Sequence, residues 1–325
     1  MIMTSTPRIE IIAELCQNHN GDMAIVEEMV YAAAESGADY AKIQSMQIRE
    51  LTHRPRFDEG LVENGVTKVI KRPFQPEYER LSKLDLTDDD HFKFLEICTR
   101  AKIKPMTTVF SRQRVPFVQK LGMDTLKLAS FDCASLPLIR DIRRGFSGRL
   151  IVSTGVTFDS EIEAAAMELK GSDFALLHCI SIYPTPLAEA HLNRIRYLKT
   201  LCPSVGISDH SNPEKDGVKL SAAAVSVGAT IVEKHFTVLP KDKTRDGPVS
   251  VNPAQLRDLS RICKMPPAEL RDYVKHEIPE AELMLGKERR ELSPTELLNR
   301  DYYRGRFASK DRSGAWVYNW EDKDL

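Results

Sequence analysis

Two histidines end two successive predicted strands: His210 in VGISDHS and His235 in TIVEKHFT. One helical segment, roughly from Pro213 to Gly228, lies between them. A strand–helix–strand unit of that length makes parallel neighbours with a right-handed crossover. Neighbouring strands lie about 5 Å apart. Both imidazoles therefore reach one mouth of a sheet, close enough to share a divalent metal. Each comes with a carboxylate, Asp209 and Glu233. The plainer alternative is two unrelated polar strand ends.

Other predicted strand ends carry comparable chemistry. Side chains two apart on a strand share a face. The first strand offers Glu14. The second pairs Lys42 with Gln44 in YAKIQ. LKLAS contributes Lys127 and Ser130, STG contributes Ser153, and HCISIYPTP contributes Ser181 and Tyr183. A lysine inside a strand is costly unless it meets an anion. Two of them among hydroxyls read as a pocket for a small polyanion, such as a phosphate plus a carboxylate. For a single lysine, a buried salt bridge with Glu14 or Glu233 serves equally well. Cys16, Cys133 and Cys179 also lie near strand ends. With no paired base in the pattern, they read as packing residues.

These residues need a scaffold that brings many strand ends to one face. Strand-like runs are predicted near 9–14, 40–44, 104–109, 125–129, 150–153, 174–179, 204–208 and 230–234. Helical patterns follow each, near 23–36, 88–101, 113–121, 136–143, 160–169, 187–201, 215–227 and 253–263. Gly37 and Gly228 sit where helices should close. Eight βα units within about 260 residues predict a (β/α)8 TIM barrel. An open doubly wound sheet would want a glycine-rich phosphate loop after the first strand, and IIAELCQNHNG is not one. The expected organisation is a barrel domain over residues 1–264 and a C-terminal linker and extension over 265–325. Two segments exceed the plain barrel. The Ser45–Leu86 connection is far longer than an ordinary βα loop. It is also basic, so a lid or substrate contact competes with a solvated excursion. The charged tail, ending GAWVYNWEDKDL, could dock through Trp316 and Trp320 on the barrel or on a second subunit.

Composition narrows the class. The chain has 325 residues, 42% of them hydrophobic, with 46 basic and 47 acidic side chains. That balance gives no nucleic-acid or membrane-surface signature. No apolar run approaches the ~20 residues of a membrane span. The start, MIMTSTPRIE, lacks the pattern of an export signal. Six scattered cysteines without CxxC read as reduced thiols of a cytoplasmic protein.

The stretch AELCQNHNGDMAIVEEMVYAAAESGADYAKIQ resembles the first βαβ unit of the sialic acid synthase family, the N-acetylneuraminate synthase type. That family's usual pattern is AExxxNHNGD followed by GADAVKFQ. The likeness continues in family order through TTVFS, LKLASFD, STG, LLHCISIYPTP, VGISDHS and VEKHFT, spanning roughly Ile9 to Leu259. The resemblance implies condensation of phosphoenolpyruvate with an open-chain N-acylated hexosamine to a sialic-acid-like nonulosonic acid, with C–O cleavage. It implies that Lys42, Gln44, Lys127, Ser130, Ser153, Ser181 and Tyr183 bind substrate. It implies that His210 and His235 hold Mn2+ or Mg2+, which would activate the sugar aldehyde. Glu14, Asp132 and Glu233 are then the carboxylates for proton transfer, and Asp246 joins the sugar wall. A homodimer is also implied.

The chain departs from the family pattern at four places. Ser181 stands where Asn is common, and Asp132 where Glu often follows. TRDGPVSVNP replaces the usual glycine-proline-aspartate. RGRFASKDRSGAWVYNWEDKDL resembles only the beginning of the antifreeze-like domain that supplies a partner's arginine in such dimers. Two other classes of function stay open on this reading: a Schiff-base aldolase or lyase of a 2-keto-3-deoxy sugar acid with Lys127 as nucleophile, and a non-catalytic sugar-binding barrel.

Overall fold

The computed structural model describes residues 8–325, so most of MIMTSTPRIE lies outside the described residues. Eight parallel strands close into a barrel: β1 (Glu10–Glu14), β2 (Tyr40–Ser45), β3 (Lys104–Val109), β4 (Thr125–Leu128), β5 (Arg149–Ser153), β6 (Phe174–Cys179), β7 (Val205–Asp209) and β8 (Ile231–His235). Each pairs with its neighbours in sequence, and β8 pairs back to β1. The predicted TIM barrel is the observed fold.

Strand alternation sorts the side chains into layers. Ile12, Tyr40, Met106, Ile151, Leu177 and Ile231 form a separate apolar cluster inside the barrel. Two residues further along the same strands stand Glu14, Lys42, Thr108, Ser153, Cys179 and Glu233. These therefore share the inward face, one layer nearer the C-terminal mouth. The intervening residues, such as Ile11, Ala13, Ile43, Val152 and Val232, point outward into the main core under the helices. Register sets the neighbours: Glu14 lies opposite Lys42 on one side and His235 on the other.

The helices follow the expected order with two local differences. The pattern across 187–201 resolves into a 3-10 turn, Leu187–Glu189, and a helix, Arg194–Leu201. That across 215–227 divides into Pro213–Asp216 and Lys219–Ser226, because Gly217 breaks the run at φ +57°. A left-handed residue cannot continue an α-helix. Gly37 and Gly228 close their helices at φ +88° and +109°.

The long Ser45–Leu86 connection is structured. It contains a 3-10 turn at Ile48–Glu50, a short helix at Arg56–Glu59, a hairpin of Leu61–Glu63 with Val66–Val69, and a helix at Phe74–Ser82. Asn64 and Gly65 both have positive φ at the hairpin tip, as a two-residue primed turn requires. The tail docks on its own barrel. Helix Pro294–Tyr303 leads to a two-stranded ribbon, Ala308–Lys310 with Trp316–Tyr318. Asn299 Nδ2 donates to the Ser181 carbonyl at 2.7 Å, and Arg300 Nη1 to the Val156 carbonyl at 2.6 Å. Thr52 meets the Gly305 carbonyl at 2.6 Å, which ties the tail to the long connection. Within the tail, Trp320 stacks on Tyr318 at 4.8 Å, and Trp316 lies against Lys310. No helix among the described residues is long and apolar enough to cross a membrane.

Candidate active site

A cavity of about 500 Å³ opens at the C-terminal mouth of the barrel. It is lined by Glu14, Lys42, Gln44, Lys127, Ser130, Ser153, Ser181, Tyr183, His210, Glu233, His235 and Asp246 together. Residues more than 200 positions apart meet there because each ends, or closely follows, a barrel strand.

The floor is an ionic cluster. Lys42 Nζ lies 2.6 Å from Glu14 Oε2 and 2.7 Å from Glu233 Oε2. The buried-pair reading of Lys42 is therefore realised, inside the pocket wall. Glu233 also accepts from Ser208 Oγ at 2.8 Å and stands 3.9 Å from Lys127 Nζ. Lys127 donates to Ser153 Oγ at 2.6 Å and to the Leu128 carbonyl at 3.0 Å. Burial lowers the Lys127 ammonium to about 8, against the attraction of Glu233. Burial likewise opposes the charge on Lys42, but Glu14 and Glu233 outweigh it and hold the ammonium above its ordinary range. Burial also opposes the charge on Glu233, where the two lysines win and keep it ionised. Glu14 moves the other way. Burial raises it, and the facing Glu233 adds to the rise over the pull of Lys42. Two carboxylates on one lysine are thus pushed apart, one fixed as an anion and one suited to carry a proton.

Beside this floor lies a cradle of small groups. The Gly155 amide donates to Ser130 Oγ at 3.2 Å. A Cβ on Gly155 would fall 2.4 Å from Ser181 Oγ and 2.9 Å from Ser130 Oγ, so only glycine lets the backbone come this close. Cys179 lies within 3.4 Å of Ser130 Oγ and 3.7 Å from His210 Nδ1.

The histidines stand where their spacing places them, with ring centroids 5.4 Å apart. Tyr183 covers His210, ring to ring at 4.2 Å. His210 Nδ1 is 3.0 Å from the Ile180 carbonyl, which fixes the ring orientation, and Nε2 faces Ser208. His235 Nδ1 is buried without a hydrogen-bond partner and stands 3.9 Å from Asp246 Oδ2. Burial lowers the His235 pKa, which favours the neutral imidazole that a metal needs. One ligand atom each from Cys16, His235 and Asp246 lies within 4.8 Å of the others. An orphaned imidazole nitrogen in a nitrogen, oxygen and sulfur donor set fits a divalent ion.

Some expected roles change. Asp209 is not a pocket carboxylate. It points outward with Lys234, which donates to it at 2.9 Å, and it accepts from Ser221 Oγ at 2.6 Å. The one-residue offset from Ser208 places it on the opposite face of β7. Asp132 does not line the cavity either. Its carboxylate accepts from Ser135 Oγ at 2.9 Å and from Asn319 Nδ2 at 3.0 Å, and burial raises it to about 6. Ser130 begins a 3-10 turn, and that turn carries Asp132 under the tail instead of over the barrel axis. Cys16 and Cys179 line the cavity, whereas Cys133 packs in the core. Arg72, Arg80 and Arg306 also face the cavity from the long connection and the tail. The basic character of the connection pointed toward the first two, and no local signal identified Arg306.

The geometry defines a TIM-barrel enzyme site with a cationic floor, a hydroxyl cradle and a histidine pair at the mouth. The chain belongs to the NeuB family, whose model matches residues 29–274. It is 31% identical to the N,N'-diacetyllegionaminic acid synthase of Legionella pneumophila, over 93% of this chain and 83% of that one. It is also 31% identical to the N,N'-diacetyllegionaminic acid synthase of Campylobacter jejuni, over 78% and 74%. The solved N-acetylneuraminic acid synthetase of Leptospira borgpetersenii serovar Hardjo-bovis, in complex with citrate, superposes with a TM-score of 0.67 at 27% identity, covering 91% of both chains. This is an enzyme of a synthase family, which sets aside the non-catalytic barrel.

Proposed function

We propose that this enzyme condenses phosphoenolpyruvate with an N-acylated hexosamine to give a nonulosonic acid and phosphate. The observation that carries this reading is the joint cavity of Lys42, Lys127, Ser130, Ser153 and Ser181 beneath His210 and His235. The lysines and hydroxyls suit a small phosphorylated carboxylic acid, and the space above them suits a sugar. A divalent ion such as Mn2+ or Mg2+ held by His210 and His235, with Asp246 and Cys16 beside them, would supply Lewis-acid polarisation of the sugar aldehyde.

The protein's own groups do the rest. Lys42 and Lys127 neutralise and orient phosphoenolpyruvate so that its C3 faces the aldehyde carbon. C3 attacks that carbon, water adds at C2, and phosphate leaves with its bridging oxygen. Glu233 stays ionised to hold the lysines, and Glu14 carries the mobile proton at the floor. Gln44 donates to Glu14 Oε1 at 3.2 Å and fixes its rotamer. Asp246 and Tyr183 bound the sugar side. Asp132 acts through the tail, not on substrate. A cytoplasmic homodimer is the assembly proposed, with the described tail kept on its own barrel.

The test is a panel of N-acetylmannosamine and dideoxy diacetamido hexoses with phosphoenolpyruvate and Mn2+, scored by mass detection of the nonulosonic acid. Consumption of phosphoenolpyruvate without a sugar-dependent keto acid would sink the reading. One observation favours a second reading: an amine lowered to about 8 suits Lys127 as a Schiff-base nucleophile. Borohydride with pyruvate separates the two, since only an aldolase would be trapped at Lys127.

A further inference from the structure

The cavity mouth carries more positive charge than its own carboxylates balance. Arg72 and Arg80 come from the long connection and Arg306 from the tail, and all three line the cavity. Glu77 is the one carboxylate paired with them among the described residues. It accepts from Arg80 twice at 3.0 Å and also pairs with Arg306. Arg72 has no carboxylate partner among the described residues: it donates to the Tyr303 hydroxyl at 3.0 Å and lies over the Tyr302 ring at 5.0 Å. Arg80 spends another donor on Gln17 Oε1 at 2.6 Å, next to the floor of β1. Arg245 and Asp246, also at the mouth, add one charge of each sign and leave that balance unchanged. Three guanidiniums against one carboxylate leave two positive charges facing the cavity.

Such a cluster is costly without an anion. Burial and the neighbouring Arg72 and Arg54 cations depress Arg306 to about 9. A phosphomonoester carries about −1.5 to −2 at neutral pH and three acceptor oxygens, and guanidiniums match it in paired hydrogen bonds. The phosphate of phosphoenolpyruvate already has lysines and hydroxyls on the barrel floor. The arginines stand on the elements that roof the mouth, where the far end of an open-chain sugar would lie.

We propose that the acceptor is a phosphomonoester of an N-acylated hexosamine, whose phosphate is bound by Arg72, Arg80 and Arg306. This rests on the synthase reading and narrows it to a substrate class. The experiment compares kcat/KM for N-acetylmannosamine and its 6-phosphate at saturating phosphoenolpyruvate, with dideoxy diacetamido hexoses as further neutral acceptors. The wild type should favour the phosphorylated sugar by about tenfold or more, and Arg72→Gln or Arg80→Gln should each reduce that ratio about tenfold. Arg72→Lys should recover part of it, and both variants leave the buried Arg306 side chain itself in place. Equal or better use of the neutral sugars overturns the inference and leaves the synthase reading standing. A raised KM for phosphoenolpyruvate in the arginine variants, with the sugar ratio unchanged, assigns the cluster to the other substrate and also overturns it. Turnover of no sugar in either form refutes the synthase reading and this inference together.

Discussion

Lys127→Met offers the most direct test of the cavity floor. The substitution keeps the length of a side chain that is only 2% exposed and removes its charge. Glu233 retains Lys42 at 2.7 Å and Ser208 at 2.8 Å, so no carboxylate is left alone and the barrel should fold. The lost interaction is one charge-assisted hydrogen bond to phosphoenolpyruvate, worth about 1.5–3 kcal/mol. That corresponds to about a tenfold to hundredfold rise in KM for phosphoenolpyruvate. The wild type should also show an alkaline fall in kcat/KM for phosphoenolpyruvate with a midpoint near pH 8, where buried Lys127 loses its proton. Unfolding does not account for that fall. The unfolded lysine keeps its proton to about pH 10.4, so across the window from about 8 the unfolded state binds more protons. This group's contribution to stability therefore rises with pH there. Activity and stability should move in opposite directions. The assay is phosphoenolpyruvate consumption at a series of pH values on both proteins, with thermal melts in parallel. An alkaline limb that persists in Lys127→Met, or an unchanged KM, would refute the assignment of Lys127 to the anion site.

Further outcomes are expected for the metal, for the bond that breaks and for Asp132. His210→Ala and His235→Ala should each abolish product formation with an unchanged circular dichroism spectrum. A chelator should inactivate the wild type and Mn2+ restore it, and full activity in chelator would remove the metal from the account. Phosphoenolpyruvate with 18O in its bridging position should deliver the label to inorganic phosphate; label kept in the keto acid would mean P–O cleavage. Asp132→Asn should keep kcat within a fewfold, because its partners are Ser135 and Asn319 and not substrate. Asn319→Ala should lower stability by about 1–3 kcal/mol, as the buried Phe110 carbonyl loses its Asn319 donor and Asp132 keeps only Ser135. A hundredfold loss of kcat in a well-folded Asp132→Asn would restore it as a proton-transfer group.

Much of the site was legible because a parallel barrel obeys two local rules. Side chains alternate along a strand, and all C-terminal strand ends share one face. Glu14, Lys42, Lys127, Ser153, Glu233 and His235 could therefore be placed together from spacing alone. The same rules were silent wherever the chain leaves a strand. Asp132 sits five residues after Lys127 in sequence, yet the 3-10 turn beginning at Ser130 carries it away from the cavity. Asp209 is adjacent to His210, yet the strand face turns it outward onto Lys234, a buried lysine whose partner no motif announces. Cys16 looked like packing because its neighbours Asp246 and His235 are more than 200 residues distant and meet it only when β1 closes on β8. Arg306 depends on more still: the tail must fold back along the Ser45–Leu86 connection, held by Thr52, Asn299 and Asn319. Local periodicity and strand-end chemistry by themselves determined the barrel, its catalytic face and the inward residues. Only tertiary closure decided which carboxylates reach the cavity and which arginines roof it, because those contacts are made by turns and long connections whose directions no local pattern encodes.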